Sequence, residues 1–361
     1  MTTPMYDAVV IGGGQAGLAS AYCLQQEGFR FLVLEAAERA VGSWPNYYDS
    51  LTLFSPAAYS SLPGFPFPGD PERYPTRDEV VAYLSAYRER FRFPIATGER
   101  VVDVRRQGDG FLVRTEGGGR YAARNVISAT GAFHTPHMPD IPGLDAYGGR
   151  VLHSKAYVSP EGYEGKRVVV VGAGNSAVQI AVELATTASV TIASRSPVRF
   201  LPQRIFGKDV HFWANAVGFD RLPIGRWLRR PPGTDVLDSG EYRSALERNE
   251  PGRREMFVRF TPRGVVWSDG TEEDVDVVIF ATGFRHNAEY LRNLGALDEQ
   301  GTPIQSNGAS KTVEGLFFVG IPWQRSHASA TIRGVGADAK YAIARLRGGA
   351  SGRRRGAADG R

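Results

Sequence analysis

Between Tyr6 and Glu35 the chain reads YDAVVIGGGQAGLASAYCLQQEGFRFLVLE. An apolar run, Ala8 to Ile11, stops at Gly12, passes through Gly13-Gly14-Gln15-Ala16-Gly17 and becomes a helical pattern through Leu18, Tyr22 and Leu24. Strand, tight turn and helix in this order form the phosphate-binding half of a dinucleotide site. Gly12 permits the turn, Gly14 lets the backbone approach a pyrophosphate, and Gly17 lets the helix pack on the strand. The helix N-terminus, with Gln15 in its first turn, offers N–H groups to the phosphates. The next strand, Phe31 to Leu34, ends in Glu35, where an acid takes a ribose hydroxyl pair.

The design returns from Arg167. Val168-Val169-Val170-Val171 ends at Gly172-Ala173-Gly174-Asn175-Ser176-Ala177, and a helix follows through Val178, Ile180, Ala181 and Leu184. Ala177 replaces the third glycine, which this pattern tolerates. The following strand, Val190 to Ala193, leads into Ser194-Arg195-Ser196 instead of an acid. An arginine flanked by hydroxyls suits the 2′-phosphate of NADP, although a plain surface arginine fits the same position. Two turns with opposite readers imply two different dinucleotides and electron transfer between them.

The rest of the chain is arranged around these two units. Residues 44–74 are rich in aromatics and prolines and should form a long irregular segment, with Trp44 either a site wall or a core plug. Thr76-Arg77-Asp78-Glu79 has capping-box spacing and should open a helix through Val80, Val81, Leu84 and Tyr87. Short strands are expected at Val101 to Val104, Phe111 to Arg114 and Tyr121 to Ala123. A separate buried strand from Arg124 should break at Ala129-Thr130-Gly131, echoed later by Ala281-Thr282-Gly283. An insertion at about 201–260, carrying Phe206, His211, Phe212, Trp213 and Phe219, reads equally as a lid or as packing on the second unit. Gly315 to Gly320 should return as a last strand of the first unit, followed by a helix over about 336–346 and a disordered Gly/Ala/Arg tail over 348–361.

With 361 residues the chain can hold two domains. The expected division is a discontinuous first dinucleotide-binding domain, 1–150 with 284–347, and a second, 151–283. Its formal charge is +5, but the basic residues are dispersed, so no nucleic-acid partner is expected. One cysteine, Cys23, leaves no internal disulfide or cysteine metal cluster. No metal, no membrane partner and a cytoplasmic location are expected, with a homodimer as a candidate assembly.

Between the two turns stands Tyr147-Gly148-Gly149-Arg150-Val151-Leu152-His153-Ser154-Lys155-Ala156-Tyr157. This resembles the identifying motif of the flavin-containing monooxygenase family, with Tyr147 in place of the leading phenylalanine. The resemblance extends in order over nearly the whole chain, and most resembles the compact bacterial members, including those associated with arsenic resistance. It implies an α/β fold of two nested Rossmann-type dinucleotide-binding domains, FAD in the first and NADPH in the second. It further implies a C4a-(hydro)peroxyflavin that, with dioxygen, oxygenates a soft nitrogen or sulfur nucleophile of a small molecule. Site residues carried over are His153, Tyr157 and Trp44 near the chemistry. Those at the cofactors are Gly12, Gly14, Gln15, Gly17, Glu35, Ser43, Trp44, Val101, Thr130, Gly131, Gly172, Gly174, Asn175, Ser176, Arg195, Thr282, Gly283 and Gly320. Without the motif, His153 reads as a hydrogen-bonded linker histidine.

Two departures bear on the reaction. Baeyer–Villiger relatives carry tryptophan where Tyr157 stands, which disfavours ketone oxygenation. Many amine-oxidising members have a Thr-Asn pair where this chain has Leu53-Phe54-Ser55-Pro56. Competing classes are an NADPH-dependent flavin reductase or oxidase, a disulfide oxidoreductase, and a non-enzymatic flavin module. A disulfide oxidoreductase needs a cysteine pair that Cys23 alone cannot supply; a flavin module would need no second reader. Arg325 and Arg333 are each open to an anionic substrate, a flavin phosphate or solvent.

Overall fold

The computed structural model describes residues 5–224 and 235–358. The chain opens with β1 (Met5–Ile11), α1 (Gln15–Gln26) and β2 (Phe31–Leu34). Residues 44–74 are irregular apart from single 3-10 turns at Trp44–Asn46 and Ala57–Tyr59. Thr76 caps α2 (Arg77–Phe91): its hydroxyl accepts from the Glu79 N–H, while the Glu79 carboxylate accepts from the Thr76 N–H, an exchange worth about 1 kcal/mol. Then come β3 (Ile95–Ala96), β4 (Val101–Gln107), β5 (Gly110–Thr115) and β6 (Arg120–Ser128). The two strands expected around Arg124 are therefore one. Its first residues pair antiparallel with β5, from Arg120 opposite Arg114 to Ala123 opposite Phe111, and it runs on parallel to β1 as far as Ser128 opposite Ile11.

A crossover strand β7 (Thr135–Pro136) leads to β8 (Arg150–His153), β9 (Arg167–Val171), α3 (Asn175–Leu184) and β10 (Ser189–Ser194). The insertion contributes β11 (Phe200–Pro202), β12 (Arg204–Ile205), β13 (Lys208–Asp209), α4 (Val210–Ala216), β14 (Val236–Asp238) and α5 (Glu241–Glu247). Next are β15 (Gly252–Glu255), a small antiparallel meander of β16 (Arg259–Phe260), β17 (Gly264–Val266) and β18 (Glu272–Asp274), and β19 (Val277–Phe280). The return crossover β20 (Phe284–Arg285) pairs antiparallel with β7. Finally β21 (Gln305–Ser306), β22 (Ala309–Ser310), β23 (Leu316–Phe318) and α6 (Ile332–Ala358) complete the chain.

The first sheet contains the parallel order β3-β2-β1-β6-β23, and the second is β15-β10-β9-β19-β8, parallel throughout. In both, the strand before the glycine turn is central, with its successor on one side and the Ala-Thr-Gly strand on the other. That is the Rossmann-type arrangement, which places a ligand crevice outside the carboxyl ends of the strands, where the strand order reverses. Alternate residues enter opposite layers. Val10 and Ile127 pack with Leu18, Leu84 and Ile343 of the helices, whereas Val9 and Val126 pack with Val104 and Leu291. In the second sheet Val168 and Val170 face Ile180 of α3, and Val169 and Val171 face Trp267 and Phe280.

One expectation at the C-terminus is corrected. Helix α6 begins at Ile332, four residues early, because its glycines serve close packing: a Cβ on Gly334 would lie 1.9 Å from the Ala328 carbonyl oxygen. The helix is described to Ala358. Residues 359–361 lie outside the described residues.

Candidate cofactor and active site

The first turn is built for close approach. Gly12 has φ +103°, and a Cβ there would lie 2.7 Å from the Ala129 carbonyl oxygen. A Cβ on Gly17 would lie 1.8 Å from the Gly12 carbonyl oxygen. Gly14 precedes α1 with no side-chain cap, which leaves first-turn N–H groups for an anion. Glu35 is 7% exposed and braces the turn: one carboxylate oxygen accepts from the Gly13 N–H at 2.5 Å, the other from the Ala37 N–H at 2.8 Å. Trp44 Nε1 donates to Gln15 Oε1 at 3.0 Å, and the Gln15 amide reaches the Ala330 carbonyl at 3.4 Å. Trp44 and its neighbour Ser43 thus sit beside the start of α1, and α1 is tied to the loop before α6. Gly320 (φ +93°) leaves room for Ala16, 2.8 Å from where its Cβ would be. Val101 is half-buried at the start of β4 and pairs with Thr115.

At the second turn Gly172 has φ +147°, and a Cβ would lie 2.6 Å from the Ala281 carbonyl oxygen. Gly174 begins α3 with no side-chain cap and has open space around its Cβ position. Asn175 Oδ1 accepts from the Leu237 N–H at 3.3 Å, and Ser176 is exposed. Beyond β10, Arg195 is exposed and has no hydrogen bond or ion pair among the described residues. Both turns fit a pyrophosphate, and their second strands end in opposite charges.

The two Ala-Thr-Gly segments are laced across each other. Thr130 Oγ1 donates to the Asn287 carbonyl at 2.7 Å, just past the second segment, and the Thr282 hydroxyl donates to the His137 carbonyl, just past the first. The Gly283 carbonyl, beside the β7–β20 pair, accepts from the His137 N–H at 3.0 Å. It also accepts from His153 Nε2 at 2.9 Å. Because His153 Nδ1 accepts from the Lys155 N–H at 3.1 Å, the ring is the neutral Nε2–H tautomer, and burial pushes its pKa down. Its edge meets Phe284 at 4.8 Å. Tyr157 is fully buried under α3, where its hydroxyl donates to Glu183 Oε2 at 2.8 Å and burial pushes its pKa well up. Gly149 earns its place by packing: a Cβ there would lie 2.2 Å from the Tyr147 hydroxyl, which donates to the Val275 carbonyl at 2.9 Å. Trp44, His153 and Tyr157 share no hydrogen bond or ring contact with one another.

Sequence reasoning missed how the insertion docks on the first unit. His211 and Asp209 are both buried, with Nδ1 2.6 Å from Oδ1, and Tyr74 donates to Asp209 Oδ2 at 2.7 Å. Gln203 bridges Asp209 Oδ2 at 2.7 Å and the Phe54 carbonyl at 3.0 Å, inside the stretch that lacks the Thr-Asn pair. Asp220 takes Arg333 at 2.9 and 3.1 Å. The contacts of Asp209 with Tyr74, of Gln203 with Phe54 and of Asp220 with Arg333 each join residues more than 100 apart in sequence, and no local pattern marks them. Among the described residues no group of three or more His, Cys, Asp or Glu could hold a metal, and no helix is long and apolar enough to cross a membrane.

A fold with two such sites defines a flavoprotein oxidoreductase that takes two dinucleotides. Residues 9–205 match the family model described as pyridine nucleotide-disulphide oxidoreductase. The chain is 33% identical over 348 residues to a Bacillus subtilis protein named uncharacterized oxidoreductase CzcO, covering 95% of this chain and 100% of the relative. It is 32% identical over 329 residues to indole-3-pyruvate monooxygenase YUCCA1 of Oryza sativa subsp. japonica, covering 80% of each. The solved flavin-containing monooxygenase of Stenotrophomonas maltophilia superposes with a TM-score of 0.84 at 34% identity, covering 95% of this chain and 98% of that one. The chain belongs to this family, as one of its flavin monooxygenases. FAD and NADPH are the cofactors that its two sites fit.

Proposed function

We propose that the chain is an NADPH- and FAD-dependent monooxygenase that transfers one oxygen atom of O2 to a soft nitrogen or sulfur nucleophile of a small molecule. The observation that carries this reading is the pair of identically ordered sheets whose second strands end in Glu35 and Arg195. Residues 1–150 with 284–347 would form the FAD domain, and 151–283 the NADPH domain. FAD would lie at the first turn, with its pyrophosphate against Gly12, Gly14 and the start of α1 and its ribose at Glu35. NADPH would lie at the second, with its 2′-phosphate at Arg195. When bound, the flavin supplies the oxygen-activating chemistry and the nicotinamide the electrons.

The chain's own residues bind, orient and exclude water. His153 and Tyr157 are positioning residues in this reading. The neutral imidazole holds β8 to Gly283, and Tyr157 ties the linker to α3. Cys23 is buried in α1, with its thiol pushed up to about 11 by burial. It is the sole cysteine, so the disulfide chemistry in the family's description has no residues to run on here. A lone, buried thiol also suits a reducing cytoplasm.

The test is stopped-flow absorbance of the FAD-loaded protein, reduced anaerobically with NADPH and then mixed with oxygenated buffer without substrate. A long-lived species distinct from oxidised and reduced flavin supports the reading. Immediate return to oxidised flavin with stoichiometric peroxide would identify an oxidase instead.

A further inference from the structure

Arg333 stands in the first turn of α6 with its side chain 8% exposed. Its Nε and Nη2 are taken by Asp220 of the insertion, at 2.9 Å to Oδ2 and 3.1 Å to Oδ1. Its Nη1 is buried and has no partner among the described residues. A guanidinium presents five N–H donors, and burying the two on Nη1 unpaired is costly. The nearby rings are aromatic: His327 lies 5.6 Å from Phe219 and 5.1 Å from Trp323, and its Nδ1 is 4.0 Å from Asp220 Oδ1. Arg325, the other candidate, is already engaged by the Ala337 carbonyl, by Asp338 and by the Tyr341 ring.

We propose that Arg333 Nη1 binds the carboxylate of an aromatic substrate, whose flat body packs against Phe219, Trp323 and His327. Resting on the monooxygenase reading, this deepens it by assigning the substrate a negative charge. Asp220 holds the guanidinium by one edge, so the remaining edge faces the ligand in a fixed direction. The Asp220–Arg333 pair is neutral overall. The positive end of α6 adds the field that favours an anion. A carboxylate satisfies Nη1 with charge-assisted hydrogen bonds, which an amide of the same shape would do only weakly.

The flavin pyrophosphate could supply the same oxyanion chemistry, and the experiment separates the two sources. FAD-loaded wild type, Arg333→Met and Asp220→Asn are titrated by calorimetry with 3-phenylpropionate and its neutral amide, and the FAD content of each is read from its visible absorbance. The wild type should bind the acid in clear preference to the amide. Arg333→Met should lose roughly 10- to 100-fold in affinity for the acid while keeping its FAD. Asp220→Asn should bind the acid more tightly, since it removes the competing carboxylate, and gives a prediction of opposite sign should Arg333→Met fold poorly. Equal binding of acid and amide, unchanged affinity in Arg333→Met, or weaker binding in Asp220→Asn would overturn the proposal. Loss of FAD from Arg333→Met would assign the donor to the cofactor and overturn it as well. A wild-type protein that never takes up FAD would instead bring down the monooxygenase reading on which the proposal rests.

Discussion

At the first turn a methyl on Gly17 would lie 1.8 Å from the Gly12 carbonyl oxygen, whereas at the second turn Ala177 already carries that methyl and Gly172 leaves room for it. The strands that follow also end differently. Glu35 is buried and satisfied by two main-chain N–H groups, while Arg195 is exposed and has no partner among the described residues. The first site is a tight, internally braced cradle, as suits a cofactor that stays bound. At the second, the turn already accommodates the Ala177 methyl and the charge is uncommitted, as suits a coenzyme that comes and goes. The same strand order therefore carries two differently built turns.

Exchanging the methyl tests that difference most severely. Gly17→Ala should abolish FAD retention, because the clash is with backbone that cannot move without opening the turn. The reciprocal Ala177→Gly should cost only about 1 kcal/mol of stability and keep coenzyme use. Flavin content and thermal denaturation check both, and a fully yellow Gly17→Ala protein would erase the distinction between the cradles.

A smaller effect is expected from Tyr157→Phe, which leaves half-buried Glu183 Oε2 without its donor at 2.8 Å. Stability should fall by about 0.5–1.5 kcal/mol, while the pH profile of flavin reduction stays unchanged. A shifted profile would make Tyr157 a participant in the chemistry.

The smallest effect concerns His153 at the junction. Its pKa in the folded protein lies below the ordinary 6.5 because burial disfavours the charged ring. The unfolded chain therefore binds the proton more readily, so the contribution to stability is full above about pH 6.5 and is lost as pH falls towards the folded pKa. His134, His286 and His327 are shifted the same way. Replacing His153 with glutamine should thus flatten only part of the acid-side loss of Tm, and an unchanged acid limb would remove His153 from the account.

What could be read from the sequence was local. The two glycine turns, the capping box at Thr76 and the strand ending at Glu35 are short-range patterns whose physics is complete within about thirty residues. The continuous β6 was less visible, because its two halves serve different neighbours, β5 and β1. The early start of α6 was hidden by Gly334, a poor helix former whose packing role shows only when Ala328 is seen against it. Contacts such as Asp209 with Tyr74 and Asp220 with Arg333 depend on how the insertion lies over the first unit, which no spacing encodes.

The most direct test of two unlike sites is the rate of anaerobic flavin reduction by NADPH and by NADH, measured by stopped flow for the wild type and Arg195→Ala. The wild type should prefer NADPH, and Arg195→Ala should lose roughly 10- to 100-fold in apparent affinity for NADPH with little change for NADH. Equal losses for both coenzymes, or no loss for either, would contradict the assignment of NADPH to the second turn through Arg195.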